Sequence, residues 1–183
     1  SIEDEVRKLA KDLDDVLREI EENSKRVLEK LDEMLERIRE HSERVVERAK
    51  RVLDEIRKQP IDESLVRRVE TVVRELKKRL RESTERVRTE VEKLKRLLEE
   101  SSKEVKRVVE ELKEELKDVL RRGGERELRT VIRKLKEVLD RLREHNKRVV
   151  EELEEALKEL EKDNRKVVED LERMLEELKR EVN

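Results

Sequence analysis

The stretch from Ile20 to Ile56, IEENSKRVLEKLDEMLERIREHSERVVERAKRVLDEI, decides how the chain folds. Its apolar residues fall at Ile20, Val27, Leu31, Met34 or Leu35, Ile38, Val45, Ala49, Val52 and Ile56. Steps of three and four residues place them on one face of a helix, and the residues between them are mostly Glu, Lys, Arg and Asp. The pattern then recurs after eighteen residues: Leu17, Leu35 and Leu53 are equivalent, as are Ile20, Ile38 and Ile56, and Val27 and Val45. Eighteen residues make five turns at about 3.6 residues per turn, so the apolar stripe does not drift around a straight helix. A heptad would impose a left-handed supercoil and an eleven-residue repeat a right-handed one. The spacing therefore predicts long, nearly straight helices in an untwisted bundle.

The same period runs outward through the chain. It links Val69, Val87 and Val105, then Leu76, Leu94 and Leu112, then Leu142, Leu160 and Leu178, with Val149 and Val167. Only Gln59-Pro60-Ile61-Asp62 and Gly123-Gly124 interrupt it. The expectation is an all-α chain whose residues 1–183 form a single-chain antiparallel up-down-up three-helix bundle. Helix 1 covers about 2–58, a turn 59–61, helix 2 about 62–122, a turn 123–124 and helix 3 about 125–182. Each helix would be about 85–90 Å long at about 1.5 Å per residue. Ser1 can cap the first helix, with Asp4 in a capping-box-like position, and Asp62 can cap the second. Ile61 and Val66 are spaced for a hydrophobic staple. Gly123 can close the second helix in a left-handed conformation, leaving Gly124 to open the third. Connections this short make neighbouring helices antiparallel.

Composition narrows the chemistry. The 183 residues include 50 Lys and Arg, 52 Asp and Glu, no aromatic residue and no cysteine. A disulfide framework and Cys-ligated zinc are excluded. A stacking platform for single-stranded nucleic acid is excluded too. The net charge of −2 is unlike the basic footprint of a nucleic-acid binder. No apolar run exceeds two residues, so neither a membrane span nor a targeting signal is expected. The compartment stays unassigned; the composition is that of a soluble chain suited to recombinant cytoplasmic expression. Balanced charge with strict periodicity separates the chain from disordered sequences. By segment, residues 1–58 carry 15 basic and 18 acidic side chains, residues 62–122 carry 19 and 16, and residues 125–183 carry 16 and 18. The basic middle helix would lie beside two acidic neighbours. With one apolar stripe per helix and no second stripe for a homomeric interface, a monomer is expected, with homo- or hetero-oligomers through helix packing as the alternative.

Polar residues interrupt the stripe in phase, twice in each helix. Folding the chain at its two turns predicts which interruptions meet. One layer would hold Asn23, Ser24, Ser101, Ser102, His145 and Asn146; the other would hold His41, Ser42, Ser83, Thr84, Asp163 and Asn164. Buried together, such groups must satisfy one another's hydrogen bonds, and a slipped register would strand them. Each layer receives one histidine, and charging a buried imidazole would cost stability near pH 5. The layers are about 27 Å apart at about 1.5 Å per residue, so His41 and His145 cannot share a metal. A single His with hydroxyls and a carboxamide is a poor zinc site. His41, Asp163, Ser42 and Ser83 superficially supply a hydrolase triad, but no oxyanion donor or glycine-lined turn accompanies them. No catalytic residue, metal or cofactor is expected, and no partner, nucleic acid or membrane is required.

In its straight eighteen-residue repeat, paired polar layers, QPIDES and GG connectors and Glu/Lys/Arg/Asp surface, the whole chain resembles de novo designed, parametrically generated three-helix bundles with buried hydrogen-bond networks. That resemblance implies a thermostable structural scaffold with no natural biochemical function and no enzymatic activity. Its alternative is an interaction or switch module: a helix-binding cage, a heteromer component or a pH-responsive bundle. Apolipoprotein-like and spectrin-like chains differ in their aromatic anchors, their prolines or their heptad cores.

Overall fold

A computed structural model describes residues 1–60 and 62–182. Three helices account for nearly all of them: α1 (Ile2–Arg57), α2 (Glu63–Arg122) and α3 (Glu125–Val182). The helices pack against one another as an all-α three-helix bundle, with no strand among the described residues. Contacts group the chain into two compact units, and every helix contributes to both. The first unit comprises Ser1–Glu29 and Lys93–Glu155, the second Lys30–Glu92 and Ala156–Asn183. Side chains on a long helix reach only neighbours at their own level, so one helix can serve two cores.

In the first unit, Leu9, Leu13, Val16 and Ile20 of α1 meet Val105, Val109 and Leu116 of α2 and Ile132, Leu135 and Leu139 of α3. In the second, Val45, Ala49, Val52 and Ile56 meet Val69, Val73, Leu76 and Leu80, together with Val168, Leu171, Leu175 and Leu178. These are the in-phase residues of the repeat. Burying each of their larger side chains contributes about 1.5–3 kcal/mol.

The relative direction of the helices follows from contacts between them. In the second unit, Ser42 meets Thr84 while Arg57 meets Glu70, so α1 and α2 run antiparallel. Asn164 meets Ser83 while Glu181 meets Arg68, which makes α2 and α3 antiparallel. Arg37 pairs with Glu161 and Arg48 with Glu172, so α1 and α3 run parallel. The first unit repeats the α1–α2 relation through Ser24 with Ser102 and Asp14 with Lys113.

The helix ends follow local chemistry. Ser1 Oγ accepts the Asp4 amide at 3.3 Å. Asp62 caps α2: its carboxylate accepts the Ser64 amide at 3.2 Å and its carbonyl accepts the Leu65 and Val66 amides. The expected staple between Ile61 and Val66 falls partly outside the described residues. Gly123 departs from expectation, because neither glycine has a positive φ. Its backbone amide instead donates to the Val119 carbonyl at 2.7 Å, and an added Cβ would lie 2.8 Å from that same oxygen. Close approach, not a left-handed turn, is what requires glycine there. Gly124 supplies the carbonyl that receives the Leu128 amide and so opens α3.

Candidate functional site

Among the described residues, three hydrogen bonds between neutral side chains cross from helix to helix, and each joins residues that interrupt the apolar stripe. In the first unit, the Ser24 and Ser102 hydroxyls are 2.9 Å apart. In the second, Asn164 Nδ2 donates to Ser83 Oγ at 3.2 Å, with Ser83 7% and Asn164 5% exposed. Ser42 and Thr84 share a longer contact of 3.5 Å. Among the described residues, no buried side-chain nitrogen or oxygen lacks a partner. These pairs therefore sit in the apolar seam without stranding a polar atom.

Burial divides the members of the two expected layers. Asn23 is half-buried, but its Oδ1 accepts a hydrogen bond from Arg26 on its own helix. Ser101, Ser102 and Asn146 are half-buried, as are Ser24, Ser42 and Thr84. His41, His145 and Asp163 are exposed, which corrects the expectation that they are buried among the layers. The reason is helical geometry. Adjacent residues are about 100° apart around the axis, so in the three dipeptides that contain these residues one member turns inward at the expense of the other. Ser42, Asn146 and Asn164 take the inward direction; His41, His145 and Asp163 take the outward one. The Ser, His and Asp residues that resemble a triad are thus dispersed: Ser42 bonds to Thr84 and Ser83 to Asn164.

Around this seam the charges pair mostly along their own helices, as Arg39 does with Glu36 and Glu43, and Arg107 with Glu104 and Glu111. The hydrogen bond from Arg39 holds the Glu36 carboxyl below its ordinary range and raises the Arg39 pKa in turn. Glu104 raises Arg107 in the same way. Between helices, Arg37 donates to both Glu161 oxygens, at 3.0 and 3.2 Å, and that hydrogen bonding raises the Arg37 pKa. This pair joins the two acidic helices, as do Arg48 with Glu172 and Glu176. Ion pairing therefore does not simply follow the net charge of each helix.

One feature was missed by the periodic reading. Leu97 is 59% exposed, and its eighteen-residue equivalents are Arg79 and Glu115. It is an apolar residue where the repeat otherwise places charge, and a position-by-position comparison of the repeats would have singled it out. Leu97 belongs to an open groove of about 690 Å³ between α2 and α3 of the first unit. Among the described residues, no group of three or more His, Asp or Glu is placed to hold a metal ion, and no helix is long and apolar enough to cross a membrane. Compared with known proteins, the chain matches no family model, no curated protein and no solved structure.

Proposed function

We propose that this chain is a designed structural scaffold, whose in-phase polar residues select helix pairing and register instead of performing chemistry. The observation that carries this reading is the set of cross-helix hydrogen bonds Ser24–Ser102, Ser42–Thr84 and Ser83–Asn164. An apolar seam alone tolerates sliding by one repeat, since every level resembles the level eighteen residues away. A slip by one repeat would set one polar level of each helix against its neighbour's other polar level and leave the remaining level facing apolar side chains, at about 1–3 kcal/mol for each group left buried and unpaired. The straight repeat, the minimal turns and the nearly complete charged coat support the same reading.

Replacing these six residues with Val or Leu tests it. The expected variant is at least as resistant to denaturant, yet populates more than one arrangement. That would appear as broadened amide resonances or a mixture of masses in size-exclusion chromatography with light scattering. Detection should use refractive index, because the chain has no Trp or Tyr. A variant that is one species with resonances as sharp as the parent's would remove the specifying role.

A further inference from the structure

The groove beside Leu97 has the features of a docking site. Its α2 wall is Leu94, Leu97, Ser101, Val105 and Val108, a stripe with steps of three and four residues. Leu142, Val149 and Leu153 face it from α3. Val105 and Leu153 are buried at its floor, whereas Leu97 stands exposed at its edge. Leu97 therefore extends the apolar surface here beyond the core-facing stripe. An exposed leucine that breaks the charge pattern of its own repeat adds nothing to the bundle's core.

The rim identifies the occupant. Its charged lining residues are Glu100, Glu104 and Glu152, with no Lys or Arg among them. Glu104 is engaged by Arg107, but among the described residues Glu100 and Glu152 have no ion-pair partner. From Leu94 to Val108 the wall spans fourteen residues, or about 21 Å at about 1.5 Å per residue. That is the length of a four-turn helix. We propose that this groove binds a basic amphipathic helix, which lays a Leu-rich stripe between α2 and α3 and directs Lys or Arg toward Glu100 and Glu152. A helix in a groove is recognised by apolar anchors at steps of three and four residues, and the acidic rim discriminates by charge. A second copy docking groove to groove would bring two acidic rims together, which disfavours that occupant.

The test uses the full chain and a synthetic sixteen-residue peptide with Leu at helical spacing, Lys and Arg on its flanks and one Trp as reporter. Binding is followed by Trp fluorescence, which the protein itself lacks. Saturable binding is expected, and Leu97→Glu should weaken it roughly tenfold or more. The exposed position lets that variant keep its fold, which circular dichroism checks. Combining Glu100→Lys with Glu152→Lys should invert the preference, so that an otherwise identical peptide with Glu flanks binds better. Absence of saturable binding overturns the proposal, as does binding unaffected by Leu97→Glu or equal binding of both peptides to the parent. A parent that is dimeric, and that Leu97→Glu makes monomeric, overturns it in favour of a second copy.

Discussion

At single residues, the clearest consequence concerns Ser83 and Asn164, the most deeply buried of the polar interruptions. Ser83→Ala leaves Asn164 Nδ2 without its acceptor, and a stability loss of about 1–3 kcal/mol is expected in chemical denaturation. Adding Asn164→Leu removes the orphaned group and should recover most of that loss. Acid acts on this surface through carboxylates such as Glu36. Its folded pKa lies below the ordinary 4.5, so its contribution is present above that value and fades as pH falls through the lowered one. Periodicity located the polar dipeptides, but it did not show which member turns inward. That choice depends on rotations smaller than the step of about 100° between adjacent residues.

For whole elements, the helices and their breaks were readable because a three-and-four rhythm over some sixty residues has no competing interpretation. Asp62 was legible as a cap because a carboxylate beside free amides is a local device. Gly123 was less so, since its need for glycine arises from the carbonyl of Val119 one turn earlier. The two glycines should consequently separate on substitution. Gly123→Ala forces a Cβ against that carbonyl and should cost at least about 1 kcal/mol. Gly124→Ser meets no atom within 4 Å and can cap α3, so its stability should stay within about 0.5 kcal/mol of the parent or rise slightly. Thermal melts of the two variants distinguish these outcomes. Interhelical ion pairs were the least readable feature: partner choice between Arg48 and the two carboxylates Glu172 and Glu176 depends on side-chain reach, which net charge per helix does not encode.

For the molecule as a whole, the division of contacts into two units gives the repeat a physical meaning that the sequence did not suggest. The same helical pattern supplies one apolar cluster around Leu13 and another around Leu76, and both leucines are fully buried. A core that depends on neighbours at its own level should open by level instead of by helix. Leu13→Ala and Leu76→Ala each remove several methyl contacts and should cost about 2–5 kcal/mol. Their effects on amide hydrogen exchange should differ in place. In Leu13→Ala, exchange should quicken across Ser1–Glu29 and Lys93–Glu155, touching parts of all three helices, before it changes in the other unit. Leu76→Ala should show the reverse, with Lys30–Glu92 and the segment from Ala156 onward affected first. Exchange that rises evenly along the whole of α1 in either variant would show that the helix, and not the level, is the cooperative element. It would also mean that the two clusters share one unfolding event despite their separate contacts.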